Sequence, residues 1–233
     1  MKNKFCLLIV FFLCISSLLP AGAQTLSEKD FQVLNMNDGL SDNDIHSVAK
    51  DTEGFMWFGT GSGLNRYDGH TFKVFRMPGI SYRRIDRVVS LDTDYLLLRS
   101  EQNLFLFDKK YERFLPVCDS VSKQPVMFAD FVADSDGSCW GVSSGELSEV
   151  NFPSSYVQDT AFVSVRHVVN NSQSDPFVVL CMGEDGKMLY CASRNGTVYR
   201  FTPGKRQLTK VCDGQLSSGR WVSSLLNGDS FIW

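Results

Sequence analysis

The sequence predicts an all-β fold built from repeated antiparallel meanders. Three observations carry that expectation. No helical periodicity persists long enough to form a helix in the mature chain. Residues 51–69, DTEGFMWFGTGSGLNRYDG, alternate short apolar runs with turn residues. This unit then recurs along the chain at a spacing of about 40–50 residues, the period of solenoids and propellers.

Within the unit, Asp51, Thr52, Glu53 and Gly54 form a tight-turn tetrad, with an Asp to bond its own backbone and a Gly free to take positive φ. Phe55–Phe58 is an aromatic run with little polar content, which suits a strand buried on both faces. Gly59-Thr60-Gly61-Ser62-Gly63 breaks the run and turns the chain. Leu64, Arg66 and Tyr67 then lead a second strand, Asp68-Gly69 is a hairpin signal, and Phe72, Val74 and Phe75 belong to a third strand.

An offset of 40 carries Ile45, Val48, Leu64, Tyr67 and Asp68 onto Ile85, Val88, Leu104, Phe107 and Asp108. An offset of 83 carries Asp51, Gly54, Trp57 and Leu64 onto Asp134, Gly137, Trp140 and Leu147. Looser copies place Gly186, Arg200 and Phe201 in a fourth unit, and Trp221 opens a fifth. The expected architecture is therefore a set of β-propeller blades, each a four-stranded antiparallel meander, about four and a fraction in number and forming an incomplete ring. Units are expected at 37–75, 82–117, 125–152, 176–212 and 220–233. In the second, Tyr95–Leu98 and Leu104–Phe107 read as its two clearest strands. A blade has one face toward each neighbour and cannot bury its apolar surface alone, so Trp57 and Trp140 are expected to fill the space between blades. In the lead, 24–36, residues Phe31, Val33 and Leu34 suggest an added strand. The stretch 154–175 reads as irregular, with a loop at Asn170, Asn171, Ser172 and Asp175-Pro176. Trp233 falls at the position of Trp57, so outer strands should follow it. The expectation is an N-terminal fragment of a longer protein with an unpaired strand edge.

The first unit carries a resemblance. Asn37-Asp38-Gly39-Leu40, Asp51, Gly54, Trp57, Gly59-Thr60, Gly63-Leu64, Arg66-Tyr67-Asp68-Gly69 and Phe72 resemble the two-component regulator propeller repeat. Later copies depart from it: Leu97 and Leu189 replace the Trp, and Asp94 replaces the Gly.

Composition agrees with a folded, exported protein. With 43% hydrophobic residues among 233, the chain can bury a core. Residues 1–23 read as a secretory signal peptide: Lys2 and Lys4, an apolar run from Phe5 to Ile15, then Ala21-Gly22-Ala23, with cleavage after Ala23. Loss of the two lysines moves the formal charge from −3 to −5, which disfavours nucleic-acid binding. No membrane span is expected in the mature chain. Its five cysteines, Cys118, Cys139, Cys181, Cys191 and Cys212, are odd in number and irregular in spacing, hence not a disulfide framework. Cys181 and Cys191 flank the Gly183-Glu184-Asp185-Gly186 turn, where a hairpin would let them face each other. The preferred reading is small buried apolar residues.

Candidate chemistry is sparse. Gly59, Gly61 and Gly63 look like a phosphate loop, but Leu64 stands where a further Gly is needed and a strand follows. Asp134-Ser135-Asp136-Gly137 looks like the start of a calcium loop, yet Cys139 and Gly145 fall at or near the later ligand positions. Asp42-Asn43-Asp44 reads as a loop or strand cap. His46, His70 and His167 lack metal spacing. No Ser sits in a nucleophile elbow and no acidic pair suits glycoside hydrolysis. No catalytic residue, cofactor-binding residue or metal ligand is assigned, and no cofactor is expected. Arg83, Arg84 and Arg87 form a basic cluster, read first as a solvated loop and second as a contact to an acidic sugar.

The resemblance implies a periplasmic sensor region of a hybrid two-component histidine kinase of Bacteroidetes, with an oligosaccharide as ligand and a homodimer in the full-length form. The chain itself is then not an enzyme. Two alternatives stay open: an exported propeller lyase or hydrolase, and a protein-binding scaffold.

Overall fold

The computed structural model describes residues 32–79, 84–92, 94–133, 139–153, 159–170, 174–183 and 187–214. Contacts divide the chain into two units, Met1–Leu34 and Asn35–Trp233. In the first, the described residues 32–34 form no strand and Val33 is 79% exposed, so the strand expected there is absent from them. Phe31, like the signal-peptide stretch and the unit at 220–233, lies outside the described residues.

The second unit is a succession of antiparallel meanders, as the repeat requires. The first comprises β1 (Ile45–Lys50), β2 (Met56–Thr60), β3 (Gly63–Tyr67) and β4 (Phe72–Phe75). The second comprises β5 (Arg87–Ser90), β6 (Tyr95–Ser100), β7 (Asn103–Asp108) and β8 (Arg113–Asp119). The third comprises β9 (Asp130–Ala133), β10 (Cys139–Ser143), β11 (Glu146–Asn151) and β12 (Ala161–Asn170). The fourth comprises β13 (Phe177–Met182), β14 (Leu189–Ser193), β15 (Val198–Thr202) and β16 (Gln207–Cys212). These are β-propeller blades, and each pair of neighbours encloses one apolar layer. Trp57, Leu64 and Phe75 of the first pack on Ile85, Leu96, Leu98 and Phe107 of the second. Leu97, Leu106 and Leu115 of the second pack on Phe131, Cys139 and Val150 of the third. Trp140, Val142 and Leu147 of the third pack on Phe177, Leu189 and Phe201 of the fourth. Both tryptophans therefore fill the interblade space, as expected.

The motif residues of the first blade turn out to be its turn-makers. Asn35 and Asp38 cap a 3-10 turn over Met36–Asp38, and Gly39 closes it at φ 104, a conformation open to Gly at little cost. The chain then docks on β3: the Ser41 amide donates to Asn65 Oδ1 at 2.9 Å, and Asn65 Nδ2 donates to Ser41 Oγ at 2.8 Å. Asp51 Oδ1 accepts from the amides of Glu53 and Phe55, and its Oδ2 accepts from Trp57 Nε1 at 2.8 Å. The six-residue separation of Asp and Trp is thus one hydrogen-bonded unit. Asp68 Oδ1 likewise accepts from the amides of His70 and Thr71 across the expected hairpin.

Burial raises the pKa of Asp51, but the Trp57 indole, Lys109 and the amide donors outweigh it, so the carboxyl is held below its ordinary value. The amides of Thr71 and His70 hold Asp68 down to about 2. A depressed folded-state value stabilises above the unfolded pKa and loses that contribution as pH falls through the folded one. Stability is therefore expected to be flat above about pH 4 and to fall below it. Asp68→Asn should flatten the fall toward pH 2, measured by urea unfolding across an acid series.

Two expectations need correction. The Phe55–Phe58 run is not buried on both faces. Trp57 is buried toward the second blade, whereas Met56 and Phe58 lie on the other face half-buried, where Phe58 meets Phe72 with ring centroids 5.8 Å apart. The third unit does not end at 152 either: Ala161–Asn170, placed in the irregular stretch, is its outer strand. This strand changes partners along its ten residues. Ala161, Phe162 and Val163 pair in parallel with Val117, Cys118 and Asp119 of β8, and Ser164 onward pairs antiparallel with β11. Outer strands of successive blades run the same way, so edge-to-edge pairing between them is parallel and covers an edge that would otherwise be free.

Candidate functional site

The segment between β8 and β9 crosses from the outer strand of the second blade to the inner strand of the third. It is held to both. Val126 N donates to Val117 O, Leu104 N donates to Val126 O, and Ala129 N donates to Val142 O, at 2.8–3.1 Å. Phe128 lies on the backbone of Gly141, where a Cβ would collide with its ring. Above this floor is a cavity of about 270 Å³. Its walls include Asp119 from the end of β8, Ser122 and Gln124 from the crossing segment, and Ser143, Glu146 and His167 from the third blade.

Strand register assembles one side of the cavity. Ser148 pairs with His167 across β11 and β12, and Glu146 pairs with Asn170. Ser148 Oγ lies 2.9 Å from His167 Nδ1, and Glu146 Oε2 lies 3.1 Å from the same nitrogen. A serine, a histidine and a carboxylate within bonding distance suggest a nucleophilic triad, but the geometry does not serve one. In a triad the carboxylate and the hydroxyl bond opposite ring nitrogens, so that the imidazole passes a proton between them. Here both fall on Nδ1, and Ser148 is only 1% exposed. A carboxylate accepts only, so the proton stays on Nδ1 and the Nε2 lone pair is directed away from Glu146.

A second charged group lies at the starts of β5 and β9 and the end of β6. Arg87 Nη1 is 3.4 Å from Asp130 Oδ1, and Arg84 Nε is 2.5 Å from Asp86 Oδ1. The burial of Arg99 pulls its pKa down, against the pull of Asp130 and Asp86. Of the basic cluster read in the sequence, Arg84 and Arg87 are thus each paired with a carboxylate, and Arg83 lies outside the described residues.

The remaining candidates settle as structural. Gly61-Ser62 is the tip of the β2–β3 hairpin, with Thr60 paired to Gly63, so the glycine run is a blade turn. Asp42 caps: it accepts from the Asp44 amide at 3.0 Å and from Ser62 Oγ at 2.9 Å. His46 sits 3.3 Å from Asp44, and His70 is exposed in a turn. Asp134–Gly137 lies outside the described residues. Among the described residues no group of three His, Cys, Asp or Glu is placed to hold a metal ion. Cys181 pairs with Tyr190 and Leu180 with Cys191, so Cys181 and Cys191 point to opposite faces of the hairpin and do not face each other. Burial pushes the Cys191 thiol up to about 12, which makes it an inert core residue.

The profile of the family described as two component regulator propeller matches residues 39–62. That span holds the Gly39 turn, the Asp51–Trp57 bond and the β2–β3 hairpin tip. Residues 39–62 are a two-component regulator propeller repeat. The chain is 39% identical over 72 residues to Histidine kinase P4 of Formosa agariphila, a match covering 31% of this chain and 5% of that protein. In fold it is similar to the extracellular domain of a B. thetaiotaomicron protein named as a hybrid two component system, BT3049 (TM-score 0.57, 16% identity, 78% of this chain, 26% of that one). It is also similar to PorZ of Porphyromonas gingivalis, a surface component of the type-IX secretion system (TM-score 0.55, 13% identity, 89% of this chain, 32% of that one). The chain thus spans about a quarter to a third of these solved structures. The shared fold spans proteins of different roles, so fold alone does not assign function.

Proposed function

We propose that the chain is part of the ligand-sensing propeller of a hybrid two-component system, exported across the inner membrane, and that it recognises an oligosaccharide. One observation carries this reading: the regulator repeat at 39–62 lies within a complete four-stranded blade, β1–β4, and the matching relative is named as a histidine kinase. Signal would pass to that kinase by population shift, a bound glycan favouring one arrangement of a homodimer. The cluster Arg84, Arg87 and Arg99 gives no support to a lyase or hydrolase, since two of its members are already neutralised by Asp86 and Asp130.

A purified mature chain is expected to raise its melting temperature with at least one glycan of a polysaccharide-derived panel and to release no reducing ends from it. It is also expected to incorporate no phosphate from labelled ATP. Phosphate incorporation, reducing-end release, or indifference to the whole panel would each refute the reading. Export is checked separately: the periplasmic product should begin at Gln24 by N-terminal sequencing.

A further inference from the structure

We propose that the cavity between the second and third blades receives one uncharged sugar ring, the end unit of a glycan. The link to glycans rests on the sensor reading above; the choice of site and of charge does not.

Size comes first. At about 270 Å³ the cavity is just below the range of pockets that enclose a whole drug-sized ligand, so it holds one ring and leaves the rest of a chain outside. Chemistry comes second. A pyranose presents an apolar C–H face and a girdle of hydroxyls. The cavity offers the matching pair: exposed Pro125 and Met127 as the apolar side, over the buried Val126 and Phe128, and Ser143, Glu146 and His167 on its wall. The imidazole is preset for a hydroxyl. With its Nδ1 proton directed at Glu146, its Nε2 lone pair is an acceptor, and the His167 side chain is 68% exposed. The floor is preset too, because Gly141 admits the Phe128 ring where any side chain would displace it.

Charge decides the class. The lining carries two carboxylates, Asp119 and Glu146, and no lysine or arginine. A uronate or a sulfate would meet like charge with no cation to offset it. For a cationic sugar the attraction is offset by the water its ammonium must give up, and each carboxylate already has a donor: the Ser122 amide on Asp119 at 2.7 Å and His167 on Glu146 at 3.1 Å. Neutral hydroxyls use the remaining lone pairs without a charge penalty.

The full chain would be titrated with glucose, galactose, mannose, N-acetylglucosamine, glucuronic acid and glucosamine, followed by amide NMR. At least one neutral sugar should bind saturably and shift the amides of Phe128, Ser143 and His167. Ser122→Trp, which fills the mouth from an exposed turn, should weaken that binding about tenfold or more, and Gln124→Trp should repeat the effect from a second position. Preference for glucuronic acid or glucosamine, shifts elsewhere that ignore both Trp variants, or no binding by any of the six would overturn the proposal. The two readings fail separately. Glycans that raise the melting temperature equally in wild type and both Trp variants leave the sensor standing and remove this site. A neutral sugar that binds here while the glycan panel has no effect does the reverse.

Discussion

Replacing Trp57 with alanine is expected to cost the fold about 3–5 kcal/mol, the range for emptying a buried aromatic site. The side chain is 1% exposed and sits in the layer between the first two blades. It meets Phe75 at 5.8 Å and Phe107 at 5.6 Å between ring centroids. Its neighbours cannot collapse into the space, because Leu64, Leu96 and Leu98 are held by strands of two separate sheets and the Ile85 amide is bonded to Thr60 O. The indole also donates to Asp51, so Trp57→Ala removes one of that buried carboxylate's donors. Trp57→Phe separates the two contributions: it keeps most of the volume and loses the bond, at about 1–3 kcal/mol. Urea unfolding of the three proteins checks this. If Trp57→Ala lost under about 1 kcal/mol, the interblade layer would not be the core of the fold.

The same residue shows why so much of the architecture was legible in the sequence. Asp51, Gly54 and Trp57 are tied to one another within seven residues, so their spacing is a local geometric requirement that repeats with the blade. Turn chemistry at Asn37–Leu40 and Asp68–Gly69 is local in the same way. The cavity was not legible. Its wall depends on β11 and β12 pairing Ser148 with His167, two residues separated by a long connection, and on the crossing segment between blades. His167 was visible only as one of three scattered histidines. The strand that carries it was missed because no glycine punctuates the chain between Gly145 and Gly183. Its alternating Val163 and Val165 were the one signal that marked it. The burial on both faces expected of β2 failed for a different reason. Only one of its faces meets a described neighbouring blade, and burial follows that neighbour, not the residue type.

Asp130→Ala is the second large effect expected, at about 2–4 kcal/mol, and it tests how the blades are held in order. Asp130 opens the inner strand of the third blade and is 6% exposed. One oxygen accepts the Leu180 amide of the fourth blade at 2.9 Å, and the other faces Arg87 of the second at 3.4 Å. One carboxylate therefore ties three successive blades near their inner strands. Alanine leaves the buried Leu180 amide without its acceptor, at about 1–3 kcal/mol. The Arg87 pair adds less, about 1 kcal/mol or below, because that side chain is 37% exposed and screened. Asp130→Asn distinguishes the two: it can still accept the amide and loses only the charge, so it should recover most of the stability. Hydrogen exchange gives the sharper readout. The Leu180 amide should lose protection in the alanine variant and keep it in the asparagine variant, while amides of β2 and β3, which do not touch Asp130, stay protected in both. Loss of protection spread evenly over all four blades would mean that the carboxylate supports the fold as a whole and does not act as a link between particular blades. A local loss would locate the contact through which a movement of one blade reaches the next.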